Sequence, residues 1–267
     1  MTSLAAWVGV DQRGPASVYV ATDSRVSWAN SSHHWDGVRK TFSSTNSPDV
    51  FGYVGDVLFP ALVLPTVAEI LSHESTAPRG ILSSQSLFRA IVEHAWSALP
   101  IPERRDVQLV HATREGEGVS CEFGFQVLKY SAADEAWASE HPPMPDCSSG
   151  LVLLGSGKGS LNEAAAEWKR SDAGGTSRAE FGAFCEALGG GADPRSGGAP
   201  QIVGLYRKGP GRLFGTSWAG SAHVSGLPLP EGLSIADVEW RNHLFERTDS
   251  NGQRVAGAQI QPDRKRA

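Results

Sequence analysis

The chain reads as an α+β protein in which pairs of helices cover the outer faces of stacked sheets. Three observations point there: a strand, a turn and a strand at the start; two paired helical stretches further on; and a closing pair of strands after the second. The order strands, two helices, strands, two helices, strands gives each helix pair a sheet face to cover. At 267 residues and 40% hydrophobic, the chain can bury a full core. One domain is expected over residues 1–217, followed by an extension over 218–267.

From Leu4 to Val10 and from Ser17 to Ala21 the residues are β-branched, aromatic or small, and Asp11-Gln-Arg-Gly-Pro-Ala16 between them is turn chemistry. The pair is a hairpin. If Val10 faces Ser17, facing residue numbers sum to about 27, so Thr2 lands near Arg25 and within a residue or two of Asp23. Val38-Arg-Lys-Thr-Phe42 and Asp49-Val-Phe-Gly-Tyr-Val54 read as a second strand pair, and Gly55 opens a helical region over Asp56 to Ser72 that contains Pro60 and Pro65. A second helix is expected from Ser84 to Leu99, where Leu87, Ile91, Ala95 and Leu99 recur every fourth residue behind a serine-rich cap.

Val107 to Thr113 and Cys121 to Tyr130 read as strands, and Leu151 to Leu154 as a short buried one. Helices are expected at Leu161 to Arg170 and Arg178 to Leu188, and a last hairpin at Gln201 to Arg207 with Gly211 to Ser217. Beyond Trp218 the chain is richer in Gly, Pro and charge. That composition suggests a segment that wraps the domain or contacts a neighbour, with its last 15 or so residues disordered.

Charge and composition narrow the function classes. The net charge is -5, and the one basic run is Arg264-Lys265-Arg266, so nucleic acid is not expected as a partner. No stretch approaches the roughly 20 apolar residues of a membrane span, and no basic then apolar leader stands at the start. Cys121, Cys147 and Cys185 lie far apart, as reduced thiols of a cytoplasmic protein would, and read as small buried hydrophobes. Asn30-Ser31-Ser32 matches a glycosylation sequon but lacks a secretory context.

Neither metal nor cofactor is implied. The eight histidines show no ligand spacing, even with His33 and His34 adjacent. Leu151-Val-Leu-Leu-Gly-Ser-Gly-Lys-Gly-Ser160 invites a phosphate-loop reading, but Val152 and Gly159 stand where that motif needs glycine and a hydroxyl residue. No Gly-x-Ser-x-Gly elbow supports a serine hydrolase.

Thr2, directly behind Met1, is the candidate nucleophile. A threonine hydroxyl needs a base to take its proton, and the α-amino group of an N-terminal threonine, with a pKa of roughly 8, can serve. The scheme requires removal of Met1, a nearby cation, and carboxylate and hydroxyl partners that orient the cation and amine.

Six stretches in order resemble the proteasome β-subunit and HslV family of N-terminal nucleophile hydrolases. Thr2 heads the first strand as that family's nucleophile does. Ala21-Thr-Asp-Ser-Arg25 looks like the family's Ala-Ala-Asp-Ser-Arg, Lys40 stands at the family's lysine, and Gly52-Tyr-Val-Gly55 is similar to the stretch whose last glycine is an oxyanion donor at a helix start. Gly155-Ser-Gly157 matches the serine that supports the threonine amine, and Asp193-Pro-Arg-Ser-Gly-Gly198 the turn that hydrogen-bonds the nucleophile.

The resemblance implies a four-layer αββα sandwich of two antiparallel sheets, and a threonine peptidase with catalytic Thr2, Asp23, Lys40, Gly55, Ser156, Asp193 and Ser196. Arg25 would order the site, while Val26, Tyr53 and Val57 would shape an apolar substrate pocket. It also implies a homo-oligomeric ring or spiral, an ATP-dependent unfoldase, and peptide or unfolded-protein substrates. Asp56 replaces the family's second glycine, next to the oxyanion donor, where its charge would weaken anion stabilisation or bind a charged substrate. Two other readings share the motifs: a stand-alone amidase or small-peptide hydrolase, and a catalytically silent assembly subunit.

Overall fold

The apolar and small residues at the start do pair as a hairpin in the computed structural model of the chain, which describes residues 2–28, 33–73, 80–233 and 235–261. Met1, the sequon and the basic run near the end lie outside the described residues. β1 (Ser3–Asp11) and β2 (Gly14–Thr22) pair antiparallel, with Leu4 facing Thr22 and Gly9 facing Ser17. The pairing is one residue off the sequence expectation, because a register shift after Gly9 sets Val10 against Pro15 instead of Ser17. Thr2 therefore points at the residues just after β2.

Two short strands follow that composition did not announce, β3 (Arg25–Ser27) and β4 (His34–Asp36). β5 (Thr41–Ser43) and β6 (Asp49–Gly55) come next, so Lys40 precedes its strand where a position inside it was expected. α1 (Leu58–His73) carries Pro60 in its first turn, where no N–H is needed, and Pro65 inside. Gly55 closes β6 rather than starting α1, and it is Asp56 that caps the helix, its Oδ2 accepting the Phe59 N–H at 3.3 Å.

α2 (Ile81–Ser97) starts earlier than its serines suggest, with the Ile81 N–H donated to the Glu115 carboxylate instead of a serine cap. Its buried stripe is Gln85, Phe88, Val92 and Trp96, and the expected Leu87, Ile91, Ala95 and Leu99 series lies along the flank, partly buried. The large aromatic rings win the core because each buries more apolar area than a leucine.

β7 (Val107–Glu115), β8 (Glu122–Ser131), β9 (Ala136–Glu140) and β10 (Ser149–Gly155) follow, then α3 (Lys158–Lys169) and α4 (Ser177–Gly190). β10 is only partly buried where a buried strand was expected, because it pairs on one side alone, at the edge of its sheet. β11 (Gln201–Tyr206) and β12 (Arg212–Trp218) form the last expected hairpin. Of the cysteines, Cys185 is buried and Cys147 is exposed, so only part of that expectation holds.

Past residue 217 the chain continues the sheet. β13 (Ser221–Val224), β14 (Leu227–Pro228), β15 (Glu239–Arg241) and β16 (Arg247–Thr248) extend it, with β13 antiparallel and β15 parallel to β12. The boundary expected at 217 thus falls inside β12, and one strand pair breaks the antiparallel expectation. Trp240 and Phe245 are buried, Phe245 against Trp7 and Tyr19. The tail beyond 261 lies outside the described residues.

The strands form a nine-stranded sheet with core order β10-β1-β2-β11-β12-β13-β14, a five-stranded sheet ordered β5-β6-β7-β8-β9, and a separate pair, β3-β4. Leu4, Val8 and Val20 of the large sheet share one apolar cluster with Val50, Val110, Phe125 and Val127 of the small one. α1 and α2 bury Phe59, Leu64, Phe88 and Trp96 against Phe51, Leu109 and Leu128. α3 and α4 bury Leu161, Phe181 and Phe184 against Trp7, Tyr19 and Ile202. Burial on this scale, at about 25 cal/mol per Å² of apolar surface, drives the sheets together and brings their strand ends into one place.

Candidate active site

Thr2 precedes β1, Asp23 and Ser24 follow β2, Lys40 precedes β5 and Gly155 ends β10. Pairing makes these ends neighbours: Ser3 faces Gly155 across β1 and β10, and Thr22 faces Gln201 across β2 and β11. Gly155 sits at φ +91°, and a Cβ there would stand 1.7 Å from the Thr2 carbonyl oxygen. Only glycine fits the turn that lets the backbone of β10 lie against Thr2.

Lys40 joins the ends. Its Nζ donates to Thr2 Oγ1 at 2.9 Å, to Asp23 Oδ1 at 3.0 Å and to the Arg25 carbonyl at 2.5 Å, which occupies all three ammonium donors. Thr2, Asp23 and Lys40 are each 0% exposed. Asp23 accepts three backbone N–H groups as well, from Ser3 and Arg25 at 3.0 Å and from Gly197 at 3.1 Å. Four donors on one carboxylate fix its position and stabilise its charged form.

Burial is the dominant influence on both ionisable groups. It pulls the Lys40 ammonium below the usual lysine value, against Asp23, which favours its charge. It pushes the Asp23 carboxyl up, against Lys40 and the backbone N–H donors. An ammonium in hydrogen-bond contact with a hydroxyl favours the negative charge that develops on the oxygen when the hydroxyl loses its proton.

The serine and aspartate set is assembled one residue away from where it was expected. Asp193 Oδ2 accepts Ser156 Oγ at 2.5 Å and Ser196 Oγ at 2.8 Å, and these bonds outweigh its partial burial, leaving its pKa low. Ser3 Oγ then donates to Ser196 Oγ at 2.8 Å. The chain of bonds thus reaches the residue after Thr2, and Ser156 itself is exposed at its far end.

Arg25, expected to order the site, forms a bidentate pair with Asp36 through Nε and Nη2 at 2.8 Å each, and its Nη1 donates to the Pro194 carbonyl. Gly55, at φ +100°, faces Val107 across the β6–β7 pair. It also lines, with Val54 and Trp137, a cleft of about 430 Å³. The three pocket candidates are dispersed in environment. Tyr53 is fully buried in the α1 and α2 core with its hydroxyl on the Arg39 carbonyl, Val57 packs on that core, and Val26 lies in β3 opposite Trp35. Tyr53 is therefore a core residue and not an exposed pocket wall.

Ser3, Asp36 and Gln201 were missed. Asp36 carried a usable signal, since a bidentate arginine needs a carboxylate partner and it lies 11 residues from Arg25. Ser3 and Gln201 had none, being an ordinary strand serine and a polar residue opening a strand.

Among the described residues, no group of three or more His, Cys, Asp and Glu is placed to hold a metal, and no helix is long and apolar enough to cross a membrane. No family model matches the sequence, and no curated protein matches it. Among solved structures the chain is similar to eukaryotic HslV from Trypanosoma brucei, at 14% identity and a TM-score of 0.46, over 76% of this chain and 99% of that one.

Proposed function

We propose that the chain is an N-terminal threonine hydrolase that cleaves peptide bonds, built on a four-layer αββα sandwich. The observation that carries this reading is the contact of Lys40 Nζ with Thr2 Oγ1 at 2.9 Å, inside a buried set closed by Asp23. While Met1 is attached, the Thr2 nitrogen is an amide and cannot act as a base. Removal of Met1 converts it to an amine on the same residue as the hydroxyl it must deprotonate, whereas a retained Met1 leaves the nearest free amine one residue away.

In the proposed reaction Thr2 Oγ1 attacks a peptide carbonyl carbon while its own amine takes the hydroxyl proton. The oxyanion forms towards the end of β6, where Gly55 is assigned as donor, and Lys40 stabilises the developing charge on Oγ1. Collapse expels the leaving amine, which takes the proton back, and leaves an ester on Thr2. Water then hydrolyses the ester by the same proton path. Asp193, Ser156, Ser196 and Ser3 keep the strand end and the amine in register, and Arg25 with Asp36 braces the Asp23 loop. The homo-oligomeric ring or spiral and the ATP-dependent unfoldase rest on the sequence resemblance, the cytoplasmic setting rests on the well-separated cysteines, and all three are part of the proposal.

Intact-mass measurement tests the core of it. Mature protein is expected to lack Met1 and to gain one adduct, at Thr2, from a peptide epoxyketone. Active protein that retains Met1, or an adduct elsewhere, would overturn the mechanism. A panel of short peptide and amide substrates then separates a peptidase from a small-amide hydrolase.

A further inference from the structure

Lys40 has no strand to hold it. Residues 37–40 lie between β4 and β5, and their backbone bonds run elsewhere: the Gly37 and Val38 N–H groups both go to the Ser24 carbonyl. The Lys40 N–H goes to a side chain, Gln201 Oε1, at 2.9 Å. The other half of that amide donates to the Asp23 carbonyl at 3.1 Å and to the Val38 carbonyl at 2.6 Å. Only one orientation of the amide satisfies all three, because one partner can only donate and two can only accept. Gln201 is 1% exposed, so water is no substitute for these bonds. One side chain ties the backbone of Lys40 to the backbone of its counter-ion.

Gln201 is in turn backed by the segment past residue 217. Ser225 and Gly226, at φ +51° and +80°, form the two-residue turn between β13 and β14. A Cβ on Gly226 would stand 2.4 Å from Ser24 Cβ and 2.9 Å from Gln201 Nε2. The turn is pressed against the two residues that fix the Lys40 and Asp23 segments.

We infer that Gln201 is the positioning residue for Lys40, and that the β13–β14 turn is the wall that keeps it in place. The inference rests on the reading of Thr2 and Lys40 as reacting partners. It gives the C-terminal strands a direct part in the site.

The test compares wild type, Gln201→Leu and Gly226→Ala with Met1 removed, using a peptide epoxyketone and two readouts. The first is the rate of covalent addition at Thr2 by intact mass, resolved into the maximal rate and the half-saturating concentration. The second is the titration midpoint of Lys40 followed by NMR in protein carrying ¹³C-lysine. In Gln201→Leu the maximal rate is expected to fall by about tenfold or more with half-saturation changed by less than about twofold, since a misplaced charge-stabilising group slows chemistry without weakening binding. The Lys40 midpoint is expected to rise towards that of an ordinary lysine as its segment loosens and admits water.

Gly226→Ala is expected to move both readouts the same way by a smaller amount, and it carries the test should Gln201→Leu fail to fold. Gln201→Glu keeps the acceptor for the Lys40 N–H and removes the two donors, and is expected to lie between wild type and Gln201→Leu near the acid end of the titration. An unchanged maximal rate, or an unchanged Lys40 midpoint, in folded Gln201→Leu overturns the inference. If wild type gains no adduct while the midpoint still moves, the positioning of Lys40 by Gln201 stands and the threonine-nucleophile reading falls.

Discussion

The two ends of β6 hold two buried polar clusters with similar ingredients and different wiring. Near its far end, Thr2, Asp23 and Lys40 form a hydroxyl, a carboxylate and an ammonium in which the ammonium touches the hydroxyl. At its first residue, Asp49 gathers His111 Nε2 at 2.8 Å, Ser84 Oγ at 2.9 Å and Ser47 Oγ at 2.6 Å. There every group turns to the carboxylate. His111 is stacked on Phe51 and tilted against Phe88, and its Nδ1 meets no hydrogen-bond partner among the described residues. Serine, histidine and aspartate in one cluster do not make a nucleophile when the histidine turns to the carboxylate and not to a hydroxyl.

The largest expected effects separate the clusters by activity. Thr2→Ala is expected to abolish epoxyketone addition and turnover while leaving the fold intact, whereas Ser84→Ala leaves both rates unchanged. Addition that survives in Thr2→Ala, or is lost in folded Ser84→Ala, would reverse the assignment of the two sites. Lys40→Ala is expected to cost about 10²- to 10³-fold in turnover, the usual weight of one group that stabilises charge developing in the transition state. Near-wild-type turnover would remove Lys40 from the mechanism.

Stability separates them in the opposite sense. Asp49→Ala strips the carboxylate from three buried donors and is expected to destabilise by about 3–5 kcal/mol, the cost of breaking a buried pair from one side. Ser84→Ala removes one hydrogen bond to a charged group and is expected to cost about 1.5–3 kcal/mol. Urea denaturation measures both. A loss below about 1 kcal/mol in Asp49→Ala would mean the cluster is wet and not structural.

What the sequence revealed follows the same division between local and distant wiring. Thr2 and Asp23 could be brought together from hairpin register alone, since β1 and β2 are joined by a short turn. The small error in register came from a bulge, which composition does not mark. Lys40, Ser156, Asp193 and Ser196 were legible through motif order and not through pairing. Gln201 lies 161 residues from Lys40, and nothing local distinguishes it from any strand-opening glutamine. The sheet strands past 217 were hidden for a similar reason, as β15 pairs in parallel with a strand more than twenty residues earlier, among glycines and prolines that read as loop. In α2, a leucine series at regular spacing was outweighed by Phe88 and Trp96, whose ring contacts are fixed by the partner strands.

The smallest expected effect is a difference in sign. Burial raises Asp49, but bonds from His111 and Ser47 outweigh it and hold the carboxyl below the ordinary value of 3.8. Its folded state therefore binds fewer protons than its unfolded state below pH 3.8, so its contribution to stability is present above that pH and is lost as pH falls towards the folded value. Asp23 is raised by burial despite Lys40, so its folded state binds more protons just above 3.8. Its contribution is present below that pH and is lost as pH rises through the folded value. Comparing wild type with Asp49→Asn and Asp23→Asn by urea denaturation across the acid range cancels the titrations common to all three. The advantage of wild type over Asp49→Asn is expected to shrink as pH falls, and its advantage over Asp23→Asn to shrink as pH rises. Two differences with the same slope would show that the carboxylates sit in equivalent surroundings, and that the contrast between a wired hydroxyl and a gathered one has no electrostatic counterpart.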